Sequence, residues 1–119
     1  MNKLKVGIMP RRQFQRRMLD IAAGKIEAER DAPKVWFSSI QSLSEVLNEN
    51  NVRLLQLIRE HQPATLSELA TLSGQKASSL SRTLKTMEKY GIVELRKYDR
   101  RKVRPIAKAT EFDIQYVIA

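Results

Sequence analysis

The segment Thr65–Gly91, TLSELATLSGQKASSLSRTLKTMEKYG, constrains the fold more than any other part of the chain. It opens on Thr-x-x-Glu, a pattern in which the Thr65 hydroxyl caps a helix start and Glu68 reaches back toward the cap. Leu69, Ala70 and Leu72 supply the apolar face of a short helix. Ser73-Gly74 ends it, because glycine tolerates the left-handed backbone that closes helices. Residues 75–90, wound at about 100° per residue, set Ala77, Leu80, Leu84 and Met87 on one side. Gln75, Ser78, Arg82, Lys85, Thr86 and Lys89 fall on the other, with Ser79 at the margin. Gly91 stops this second helix. Two helices joined by a brief glycine-containing turn predict a helix-turn-helix. The alternating IVEL, the charged RKYDRRK as a tip and the returning VRPIA predict a hairpin after it. The expected fold is therefore α+β, a winged helix-turn-helix domain with an N-terminal strand-helix extension and a C-terminal strand.

The flanking segments read more simply. LKVGIM alternates Leu4, Val6 and Ile8 with Lys5 and Gly7, the period of a half-buried strand. Pro10 suits a first helical position, and Phe14, Met18, Ile21 and Ala22 then predict an amphipathic helix running to about Glu29, ended by RDAP. KVWFSS is a short strand; Ile40, Leu43, Val46 and Leu47 form a helical stripe that stops in NENN. A second stripe, Val52, Leu54, Leu55, Leu57 and Ile58, ends at HQP, since Pro63 disfavours helix at the residue before it. EFDIQYVI alternates Phe112, Ile114, Tyr116 and Ile118 with polar residues, another strand. LKVGIM and EFDIQYVI are edge candidates that could pair with each other, across a dimer or with a partner. At 119 residues one domain with appendages is expected. We divide it into a strand and basic helix over 1–33 for dimerisation or partner contact, the winged helix-turn-helix over 34–108 and a terminal strand over 109–119.

Charge narrows the choice of partner. The chain has 22 Lys+Arg against 13 Asp+Glu, a net charge of +9. Eleven of those cations against three acids lie in residues 76–108. Such concentration points to a polyanion, nucleic acid ahead of an anionic surface or acidic protein. On the second helix, small Ser78 and Ser79 allow close approach to a base edge or phosphate. Gln75 offers a bidentate pair to adenine, and Arg82 reaches guanine or phosphate. Lys85 and Lys89 suit the sugar-phosphate backbone, and Lys76 is a further candidate DNA contact. Arg96, Lys97, Arg100, Arg101 and Lys102 crowd one hairpin, where like charges repel unless a polyanion is near. Arg11, Arg12, Arg16 and Arg17 sit in the first turns of a helix, where the dipole disfavours cations. A phosphate or an acidic partner surface would compensate there, as would simple screening by salt.

Other chemistries find little support. His61 is a surface or capping histidine, and the serines of SSLS have no neighbouring general base. No glycine-rich phosphate loop and no metal-ligand cluster appears, so neither catalysis nor a cofactor is expected. Trp36 and Phe37 read as core. The absence of cysteine excludes disulfides and thiolate metal sites and suits a reducing cytoplasm. The basic start, broken by Pro10 and arginines, is no secretory signal, and nothing is long and apolar enough for a membrane partner.

The stretch ATLSELATLSGQKASSLSRTLKTMEKYGIVEL resembles the helix-turn-helix core of MarR-like winged-helix regulators. The layout of nearly the whole chain is similar to a family of small archaeal and bacterial MarR-type DNA-binding proteins, some of them antitoxins encoded beside a toxin gene. The resemblance implies a homodimeric cytoplasmic protein that binds double-stranded DNA and represses its own operon. By position, the DNA-reading helix of that family falls on Gln75 through Tyr90 and its wing on Arg96 through Lys102. The alternative it carries is an antitoxin whose main task is to occlude a cognate toxin. The hairpin here is richer in arginine and lysine than expected of archaeal relatives with acidic proteomes, which leaves the operator open.

Overall fold

A computed structural model describes residues 3–118, so residues 1, 2 and 119 of the two terminal segments lie outside the described residues. The protein is α+β. Among the described residues it has five helices and five strands in two sheets. Contacts divide it into two compact units, one of residues 46–111 and one of residues 3–45 with 112–118. The sequence reading instead drew boundaries at 33/34 and 108/109. The difference arises because the short strand at Val35–Phe37 pairs with the N-terminal strand.

In the first unit, α3 (Glu49–His61) starts at Asn48, whose side chain accepts the Asn51 N–H at 2.8 Å. Thus NENN both stops the preceding helix and caps the next. Asn51 is buried, yet its amide donates to the Val46 carbonyl at 2.9 Å, so the polar group is satisfied. At the other end Gln62 takes φ 46°, a left-handed cap that releases the chain into Pro63. α4 (Leu66–Ser73) is capped by Thr65, whose Oγ1 accepts the Glu68 N–H at 3.1 Å. The Glu68 carboxylate accepts the Ala64 N–H at 2.7 Å, one residue earlier than the cap itself. Gly74, at φ 73°, closes α4, and α5 (Ala77–Lys89) follows after Gln75 and Lys76. Leu80, Leu84 and Met87 of α5 are fully buried, each stabilising the unit by about 1.5–3 kcal/mol relative to exposure. Ala77, expected on the same apolar face, is exposed in the first turn.

Gly91, at φ 76°, turns the chain into β3 (Val93–Asp99), which pairs antiparallel with β4 (Lys102–Ala107). The charged RKYDRRK is therefore mostly strand, and only Arg100 and Arg101 form the connection. Charge density obscured an alternation that keeps Leu95 and Val103 on one face while Arg96 and Arg104 stand opposite each other on the other. The register shifts between Lys97 and Asp99.

In the second unit, β1 (Lys3–Ile8) lies between β2 (Val35–Phe37) and β5 (Glu111–Tyr116, its first residue counted with the other unit). β1 and β2 run parallel with Gly7 opposite Trp36. LKVGIM is thus a central strand rather than an edge; Val6 and Ile8 are buried because both flanks are occupied. The Val117 N–H donates to the Ile8 carbonyl at 2.9 Å, setting the ends of β5 and β1 side by side. A Cβ on Gly7 would come within 2.4 Å of the Trp36 ring, so glycine is what lets the indole lie across β1. Phe14 of α1 (Arg11–Ala22) meets that indole at 5.5 Å between ring centroids. Pro10 is the residue before α1 rather than its first, and the helix stops at Ala22 instead of near Glu29. Gly24, at φ 75°, bends the backbone out of the helix and leaves Ile26 exposed. α2 (Ile40–Val46) is introduced by Ser39 and Ser42, whose hydroxyls accept each other's backbone N–H at 3.1 and 3.2 Å.

Candidate functional site

The outward face of α5, with its cap residue Lys76, gathers accessible hydrogen-bond donors along one helix. Lys76, Ser78, Ser79, Arg82, Lys85 and Lys89 are all exposed. None of the four cations among them forms an ion pair with a described residue. The arrangement follows from the buried stripe: once Leu80, Leu84 and Met87 fix the rotation of the helix, the residues on the opposite side, Arg82 and Lys85 among them, face solvent. The acid of this helix, Glu88, accepts the Leu95 N–H at 2.9 Å, joining α5 to β3.

Gln75 behaves differently. It is half-buried, and its amide donates to Asn50 Oδ1 at 2.9 Å, so part of its hydrogen-bonding capacity is already engaged. Asn50, on α3, thereby enters the site. Nothing in the local pattern signals it, since the two residues are 25 positions apart.

The hairpin residues separate into two groups. Lys97, Arg100, Arg101 and Lys102 are exposed with no ion pair to a described residue. The backbone N–H of Arg100 donates to Asp99 at 2.7 Å. Arg96 is instead tied to Glu94 at 2.9 Å, and Lys108 lies 3.6 Å from the other oxygen of that carboxylate. The Arg96 hydrogen bond holds the Glu94 carboxyl below its ordinary value; desolvation opposes this, and the charges of Arg96 and Lys108 add to it. Arg96 and Arg104 are directly opposed across the ladder, an arrangement that costs energy for like charges. Glu94 neutralises one, and the other lies 5.1 Å from the centre of the Tyr98 ring. Tyr98 also donates its hydroxyl to the Ala64 carbonyl at 2.7 Å, fastening the hairpin to the segment before α4.

Arg104 was not among the residues singled out from sequence, although its place two residues after Lys102 in an alternating strand was a usable signal. With Arg59 it borders a groove of about 420 Å³ between the end of α3 and β4, whose lining contains no carboxylate. The cationic surface therefore extends beyond the residues expected.

In the other unit, Arg11, Arg12 and Arg16 of α1 are exposed, and Arg17 is 4.0 Å from Glu29. The start of α1 has neither a side-chain cap nor an acidic residue in its first turn. His61 is exposed 4.0 Å from Glu60. Among the described residues no group of three or more His, Cys, Asp or Glu could hold a metal ion, and no helix is long and apolar enough to cross a membrane.

A family model described as HVO_A0114 matches residues 46–114, more than half of the chain and nearly coincident with the first compact unit. No curated protein and no solved structure matches the chain.

Proposed function

We propose that this chain, which belongs to the HVO_A0114 family, is a sequence-specific duplex-DNA-binding regulator built on a winged helix-turn-helix. In this reading α4 and α5 are the two helices of the motif, α5 is the reading helix and the β3–β4 hairpin is the wing. The observation that carries it is the exposed face of α5, where Ser78, Ser79 and Arg82 stand without a competing side-chain partner above a fully buried stripe. A helix with that division fits the major groove with small residues at its leading end and cations further back. Lys97, Arg100, Arg101 and Lys102 lie on backbone or in a minor groove, and Lys85 and Lys89 on phosphates. Repression follows from occupancy of a promoter, and two copies bind an imperfect palindrome with half-site centres about 10 base pairs, or a multiple, apart.

The test is selection of bound sequences from random duplexes by the full chain at near-physiological salt, where purely electrostatic binding is weakened. A recovered motif with two related halves is expected. Equal recovery of all sequences, or preference for structured RNA in competition, sinks the reading.

A further inference from the structure

The second unit has two sheet edges, and they are unequal. β2 is three residues long, too short to template another strand, whereas β5 has six residues and is the outermost strand on its side of the order β2-β1-β5. β5 carries few of the devices that blunt an edge: Glu111–Ile118 contains no Lys, no Arg, no Pro and no Gly, and its charges are Glu111 and Asp113. Along it Phe112, Ile114, Tyr116 and Ile118 share one face, and the last three are 48%, 52% and 74% exposed. An open, apolar strand edge of this kind takes another strand.

The distribution of charge on β5 selects a second copy of the same strand. Laid antiparallel about a two-fold axis through Ile114, the strand sets Phe112 opposite Tyr116 of the other copy, Asp113 opposite Gln115 and Glu111 opposite Val117. Two aromatic pairs then flank an Ile-Ile centre, each Asp113 carboxylate faces an amide that can donate to it, and no two carboxylates are opposed. Moving the axis one residue, to Asp113, would oppose two carboxylates directly. Antiparallel pairing is also what a two-fold dimer requires, since the same patch must meet itself. We infer that β5 is the dimerisation edge of this protein and that two chains join their three-stranded sheets into one six-stranded sheet centred on Ile114. The inference rests on the homodimer assumed in the DNA-binding reading and names the surface that forms it.

The chain contains no cysteine, so single cysteines report the register without background. At the two-fold position, opposed Cα atoms are about 4.5–5.5 Å apart, within disulfide reach. With an added oxidant, full-length Ile114→Cys should become a covalent dimer. Phe112→Cys and Tyr116→Cys alone should not, each being displaced from its own copy by four residues, about 13 Å. The double variant Phe112→Cys/Tyr116→Cys should cross-link again. In sedimentation, Ile114→Lys should fall from the mass of two chains to that of one while keeping the circular-dichroism spectrum of the folded parent, because the side chain is exposed in the single chain. A monomeric parent chain, a dimer that survives Ile114→Lys, or cross-links that peak elsewhere would each overturn the inference. DNA binding is read separately. An Ile114-centred dimer that selects no duplex motif leaves this interface standing and removes the proposed function. A monomer that selects a single half-site does the reverse.

Discussion

Residues 46–111 bury eleven of the described large or small apolar side chains almost completely, from Val46 and Leu54 to Ile92 and Ala109, and leave only Val52, Leu72 and Tyr98 as exposed large ones. The unit of residues 3–45 and 112–118 buries five, Val6, Ile8, Met9, Phe37 and Leu43, and exposes seven, including Leu19 at 70%. The first unit presents cations at its surface, on α5 and on the hairpin. The second presents aliphatic and aromatic groups on α1 and β5 beside the exposed arginines of α1. A closed core with a charged exterior suits a water-rich, polyanionic partner, whereas open apolar surface is stabilised only by covering it. On the proposed reading the two regions meet different kinds of partner.

The largest effect is expected inside the closed unit. Leu84→Ala removes a fully buried side chain from α5 and should cost about 2–5 kcal/mol in denaturant unfolding; a loss much below that would mean the stripe packs loosely. In the open unit the sharpest probe is Gly7→Ala, whose new methyl meets the Trp36 ring. It should lower stability by about 1–3 kcal/mol with a change in tryptophan fluorescence, and an unperturbed spectrum would show that the indole does not need the glycine. Arg82→Ala should weaken binding to a selected duplex by about 1–3 kcal/mol if the guanidinium reads a base. Equal loss on random DNA would make it a phosphate contact instead. Thr65→Ala deletes the α4 cap and should cost about 1 kcal/mol of unfolding free energy, leaving β5 self-association unaltered.

The smallest effect concerns Glu94. Its folded carboxyl titrates below the ordinary value of 4.5. The Arg96 contact therefore contributes stability that is fully present above that pH and is lost as pH falls through the lower folded value. Carboxyl titration by NMR should show the depressed midpoint, and Arg96→Gln should move it upward. Glu94→Gln should leave the fold intact and strengthen binding to any polyanion slightly by releasing Arg96.

What the sequence made legible was local. The stripe Leu80, Leu84 and Met87, the Thr65 cap and the left-handed glycines 74 and 91 follow from helical period and backbone sterics, and each appears where that chemistry places it. The winged-helix arrangement and its contact with DNA remain the proposal made above. Boundaries decided by a single residue were harder. Nothing in the apolar pattern after Ala22 forbade further helix, and Gly24 ended it through its φ alone. Contacts between distant positions were not legible at all: Gln75 with Asn50, and Tyr98 with Ala64, join segments 25 and 34 residues apart. The hairpin extends further than its charges suggest, because a run of charges looks like a loop until the alternation of Leu95 and Val103 with Arg96 and Arg104 is noticed.

The hydroxyl of Tyr98 on Ala64 and the carboxylate of Glu88 on the Leu95 amide brace the β3–β4 hairpin at two separate points. A cationic arm held by such struts has already surrendered much of its conformational freedom before any encounter, so less entropy is lost on contact. On the proposed reading Arg100 and Arg101 at its end are presented by the scaffold, and cutting either strut should weaken polyanion binding without removing a single charge.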